Sequence, residues 1–199
     1  MKLSQAISHF STVTVDGWDQ TAGKWIYGVA KGAILTFDRF ITERSFGQKK
    51  RLFQMAGETG LPSNIDAIRD PYGVRYLVGY MNNDISHEER YNNVYLVQRA
   101  DYDAELITLT SQVASSGAPT GKQLTVSATF PMDLDKISSS RSSEFEGVYY
   151  SGFVASAPMS LGITTDHEIR LNGTLYDIEE VYEAVGIQGM KLNKRSGKL

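Results

Sequence analysis

The segment His167–Arg195, HEIRLNGTLYDIEEVYEAVGIQGMKLNKR, decides how the rest of the chain is read. His167–Leu171 (HEIRL) leads into Asn172-Gly173. A second alternating run, TLYDIEEVYEAV, follows it, then Gly186 and a third run, MKLNKR. Asn-Gly supplies the two positive-φ positions of a tight turn whose twist suits flanking strands, so the first two runs are predicted to pair as a hairpin. The three runs together read as successive strands.

Upstream the same grammar recurs. Ser11–Asp16 (STVTVD) is β-branched nearly throughout. Lys24–Ala30 (KWIYGVA) and Gly32–Phe37 (GAILTF) are apolar runs separated by Lys31, the pattern of paired or bulged strands. Gly73–Tyr80 and Asn93–Arg99 flank the polar connection Met81–Asn92, which predicts a hairpin with a long tip. Ala104–Ala114 and Lys122–Phe130 both alternate around the turn cluster SSGAPTG, a second hairpin. Gly147–Ala155 has strand composition, and helix is confined to short candidates at Ser4–Phe10 and Ser86–Tyr91. The expected fold is all-β: a small barrel or sandwich with long loops and little helix. It is read as one β domain over residues 1–199, with a candidate boundary at 131–146, and no repeat occurs at solenoid or propeller spacing.

Composition narrows the chemistry. The chain has 199 residues, a formal net charge of -3 and no cysteine, which excludes disulfides, thiolate metal sites and cysteine nucleophiles. Twenty basic against 23 acidic side chains give no global field for gripping nucleic acid. The N-terminal run MKLSQAISHFSTV is too short and polar for a signal peptide, and the uncharged stretch Gly147–Thr165 is too rich in Gly, Ser and Thr for a membrane span.

No catalytic motif emerges, and no enzyme, cofactor or metal is expected. Gly117-Ala-Pro-Thr-Gly121-Lys122 has the wrong glycine spacing for a phosphate loop and reads as a turn. His9, His87 and His167 are far apart in sequence. The acidic pairs Asp101/Asp103, Asp133/Asp135 and Glu144/Glu146 each place two carboxylates on one strand face, a geometry that a hydrolase or a calcium site uses but that reads here as a solvated strand face. Trp18, Trp25, Tyr27, Tyr91, Tyr95, Tyr149 and Tyr150 are candidates for a sugar or nucleobase stacking platform, or for core edges and subunit contacts.

The C-terminal segment resembles that of tailed-phage head-closure (stopper) and head–tail joining proteins. The likeness rests on His167–Leu171, Asn172-Gly173, Tyr176-Asp-Ile178-Glu-Glu-Val181 and Met190–Arg195. It implies a three-stranded meander closing a small barrel, with Ile169, Leu171, Tyr176, Ile178 and Val181 inward. It also implies a structural virion protein of the neck, forming a homo-oligomeric ring. Such a ring would have a portal or adaptor protein on its head side, a tail protein on its distal side and packaged DNA in its channel. Candidate partner contacts are Arg141, alone among the serines of Ser138–Ser143, and the basic residues Lys191, Lys194, Arg195 and Lys198 near the C-terminus. The alternatives are another tail component such as a tail-terminator, and a ligand- or carbohydrate-binding β-sandwich module.

Overall fold

The computed structural model describes residues 12–36, 50–55, 60–81, 94–113, 119–136, 152–184 and 186–195. Among them the chain is β throughout, apart from one 3-10 turn at Met159–Leu161. It divides into two compact units, Met1–Asp101 with Val185–Ile187, and Tyr102–Ala184 with Gln188–Leu199. Where the sequence reads one β domain with a candidate boundary at 131–146, the division into compact units falls at Asp101/Tyr102, and one strand runs through Pro119–Lys136.

The first unit is a closed barrel of six strands: β1 (Val13–Asp19), β2 (Lys24–Thr36), β3 (Lys50–Met55), β4 (Ile65–Arg69), β5 (Arg75–Met81) and β6 (Val94–Arg99). Their order around the barrel is β1-β2-β3-β6-β5-β4. The two runs around Lys31 form one strand, because the irregularity lies elsewhere: β1 and β2 slip in register between Val15 and Gly17. Val15, Ala30, Ile65, Ile68, Tyr76 and Val97 make the barrel core. Gly17 is required inside it, since a Cβ there would lie 2.8 Å from both Ile65 Cδ1 and Val29 Cγ2. The β4–β5 turn is organised by Asp70, whose Oδ1 accepts from Tyr72 N and Val74 N, both at 2.9 Å.

The second unit holds β7 (Tyr102–Val113), β8 (Pro119–Lys136), β9 (Phe153–Pro158), β10 (His167–Leu171), β11 (Thr174–Ala184) and, from its second residue on, β12 (Ile187–Lys194). They close a second barrel in the order β10-β11-β12-β9-β8-β7. Asn172 (φ 49) and Gly173 (φ 76) form the turn that the sequence predicts between β10 and β11. Ile169, Leu171, Tyr176 and Ile178 are buried, and Val181 is half-buried near the end of β11. Phe153 packs edge-on against Tyr176, with centroids 5.4 Å apart. Gln188 is buried and holds the segment before β10: Ile163 N donates to its Oε1 (3.0 Å), and its Nε2 donates to Ile163 O (2.7 Å).

The two barrels share one topology. Numbered within its own barrel, each set of strands runs 1-2-3-6-5-4 around the ring. The registers match as well. Asp16 on β1 faces Arg69 on β4, and Glu105 on β7 faces Arg170 on β10; both couples are ion pairs. One residue along, Ile68 faces Tyr76 and Ile169 faces Tyr176, and all four are buried. Each hairpin from first to second strand slips register beside the acidic residue, between Val15 and Gly17 in one and between Leu106 and Ile107 in the other.

Candidate functional site

The most developed surface feature lies on the first barrel where β1, β2 and β4 meet. Pairing of β1 with β4 sets Asp16 opposite Arg69. Asp16 Oδ2 accepts from Arg69 Nε (3.2 Å) and Nη2 (2.8 Å). Its other oxygen accepts from Gly28 N at 3.1 Å. Gly28 has φ +66, a conformation other residues adopt at a cost, and it sits in the β2 bulge created by the register slip. One carboxylate therefore fixes both a guanidinium and the bulge next to it. Two rings flank that guanidinium: Arg69 Cζ is 4.8 Å from the Trp25 ring centroid and 5.9 Å from that of Tyr27. Both distances lie within cation–π range. Trp25 is half-buried, whereas Tyr27 is 82% exposed.

Of the aromatic residues singled out from sequence, the structure brings only Trp25 and Tyr27 together in this way among the described residues. Trp18 is buried, and the Tyr95 hydroxyl accepts from Leu61 N at 2.7 Å. Tyr91, Tyr149 and Tyr150 lie outside the described residues. Sequence reasoning did not find Asp16 and Arg69, which are remote in the chain and meet only through strand pairing. Gly28 inside a strand was the available signal, because an interior glycine marks a bulge or a close approach.

The basic residues near the C-terminus are largely engaged within their own barrel. Lys191 is ion-paired with Glu180, and Asn193 Nδ2 donates to Glu179 Oε1. Arg195 Nη1 donates to Glu168 Oε1 at 2.8 Å, and Arg195 N donates to Leu175 O. Glu168 is buried, and its Oε2 has no hydrogen-bond partner among the described residues, so Arg195 carries the compensation of this carboxylate. Lys194 is exposed at the end of β12. Arg141 and Lys198 lie outside the described residues. Beside these pairs the Tyr182 ring lies against Gly189, where a Cβ would come within 2.3 Å of it. Burial raises the Tyr182 pKa above the ordinary tyrosine value, Lys191 pulls it down and Glu180 pushes it up.

The other sequence candidates separate. Asp101 pairs with Arg99 at 2.6 Å. Asp133 is buried while Asp135 is exposed, and Glu144/Glu146 fall outside the described residues. His167 Nδ1 accepts from Thr164 N at 3.1 Å and serves a turn. No three His, Asp or Glu side chains converge into a metal-binding group among the described residues, and no helix there is long and apolar enough to cross a membrane. A comparison with protein-family models finds no match, and no curated protein matches the sequence.

Proposed function

We propose that the chain is a structural protein of the tailed-phage neck, a stopper or adaptor that assembles as a homo-oligomeric ring between portal and tail. The observation that carries this reading is the resemblance segment itself. It folds as the β10–β12 meander of a closed barrel, with Ile169, Leu171, Tyr176 and Ile178 buried and Val181 half-buried, which supports the reading. A net charge of -3 suits a channel through which DNA slides without adhering. In this reading Lys194, exposed at the end of β12, is open to an axial partner, and Lys191 and Arg195 hold the barrel that presents it.

Native mass spectrometry with negative-stain imaging tests the proposal, on the chain alone and with a portal protein. A closed ring of many copies is the expected species. A monomer under both conditions overturns the reading.

A further inference from the structure

We propose that Trp25, Tyr27 and Arg69 form a stacking platform for a neutral sugar ring, with Asp16 as its positioning residue. The inference stands apart from ring assembly and rests on three observations.

The first concerns what the arrangement does for the fold. Tyr27 is 82% exposed and so gains little from burial, yet it lies in a bulge held by a positive-φ glycine whose N–H donates to Asp16. The ion pair and the cation–π contacts are partly solvated, where each adds little to stability. Stability alone gives little reason for this construction.

The second is a comparison inside the molecule. The other barrel closes the same strand pairs with Glu105–Arg170, the counterpart of Asp16–Arg69. By register, Val126 stands there where Trp25 stands here, since Ile107 faces Val126 as Trp18 faces Trp25. No ring lies over Arg170 among the described residues. Barrel closure therefore needs the ion pair and not the rings, which belong to the first barrel alone.

The third is chemical. Both Asp16 oxygens are occupied, and its charge cancels that of Arg69, so the platform offers no net field for a phosphate or carboxylate. Arg69 Nη1 still carries N–H donors without a partner among the described residues. What remains is the open ring of Tyr27, 82% exposed, with half-buried Trp25 and unengaged donors beside it. A pyranose matches this, because its C–H face is attracted to the negative face of an aromatic ring while its ring-edge oxygens accept N–H bonds. A nucleic-acid strand brings phosphates that would need net positive charge here, and the chain as a whole is acidic.

Native affinity electrophoresis of the full chain through gels containing laminarin, hydroxyethylcellulose, dextran or galactomannan tests the proposal. Retardation by at least one of these neutral polysaccharides is expected, weakened about tenfold in Tyr27→Ala through loss of one stacking ring. Arg69→Met should also lose retention, whereas Arg170→Met, its counterpart in the other barrel, should keep it. Tyr27→Ala should melt with the wild type, so a lost interaction is not a lost fold. Absence of retardation by all four polysaccharides overturns the proposal, as does equal retention of Tyr27→Ala. Tryptophan quenching by oligo(dT) that requires Tyr27 overturns it too, by assigning the rings to nucleobases. Each of these results leaves the oligomeric state, read by mass, untouched.

Discussion

Replacing Gln188 by glutamate should destabilise the second barrel in a way that acid reverses. In the native chain the Gln188 amide closes a two-bond clasp on Ile163, and both residues are buried. Glutamate keeps the acceptor for Ile163 N. It puts a carboxylate oxygen where Nε2 now donates to Ile163 O, at 2.7 Å, so a repulsive contact replaces a hydrogen bond. An unsatisfied buried carbonyl costs about 1–3 kcal/mol and the uncompensated charge adds more, giving about 3–5 kcal/mol near neutral pH. The new carboxyl escapes by taking up a proton, so its folded-state pKa lies above the ordinary value of about 4.3. Below the unfolded value both states hold the proton and the O–H can donate to Ile163 O; the penalty then falls to about 1 kcal/mol. As pH rises through the folded value that relief is lost. Gln188→Leu, which cannot titrate, should stay about 2–4 kcal/mol below wild type at acid and neutral pH alike. Urea denaturation followed by near-ultraviolet circular dichroism at about pH 4 and about pH 7 reads both differences. A Gln188→Glu deficit that is equal at the two pH values, or smaller than about 0.5 kcal/mol at neutral pH, refutes the clasp as the cause.

Other substitutions probe neighbouring claims. Ile178→Asp places an unpaired carboxylate in the second barrel and should prevent its folding, at a cost comparable to the stability of a domain; a near-native melting curve would show that the meander is misassigned. Arg195→Ala strips Glu168 of the partner of its bonded oxygen and should cost about 1–3 kcal/mol of stability, read by thermal denaturation. Gly189→Ala must push the Tyr182 ring aside, since the new Cβ would lie 2.3 Å from it, and should cost about 1–3 kcal/mol. Because burial raises the Tyr182 pKa, the unfolded chain ionises first; its contribution is complete below about pH 10 and fades as pH rises beyond that. Tyr182→Phe should flatten that alkaline decline, which stability measured against pH will show.

The elements legible from sequence were those written in local chemistry. Asn172-Gly173 carries its own φ requirement, so the β10–β11 hairpin needs no knowledge of the rest of the chain. The long alternating runs that became β7 and β8 announce themselves in the same way. Strand β4 is harder, because five residues, IDAIR, carry too little periodicity to separate a strand from a loop. The division at Asp101/Tyr102 was illegible for a related reason: Arg99-Ala-Asp-Tyr102 has no glycine, proline or serine, and one strand ends almost where the next begins. The charges of β12 looked like a basic tail because β11 was not yet beside it; only pairing brings Glu179 and Glu180 to Asn193 and Lys191. The platform is the extreme case. Trp25 and Tyr27 were visible as aromatics, but Asp16 and Arg69, which make them a site, are brought together by strand pairing alone.

The shared topology has a consequence for how this chain reaches its native state. Strands β4 and β10 each present an Ile-Arg pair, to an acidic residue on β1 in one barrel and on β7 in the other. The charge signals are therefore interchangeable: β4 can bring Arg69 to Glu105 on β7, or β10 bring Arg170 to Asp16 on β1, whereas the neighbouring contacts differ, Ile68 facing Gly17 and Ile169 facing Leu106. Such exchange is a characteristic trap for chains built of like units. The order of strands offers a way out. All six strands of the first barrel end by Arg99, before β7 begins at Tyr102, so a ribosome releases one complete set before the competing set exists. A chain diluted from denaturant receives all twelve strands at once, and non-local barrel closure is slow. Vectorial synthesis thus adds a kinetic discrimination that the two ion pairs themselves do not encode.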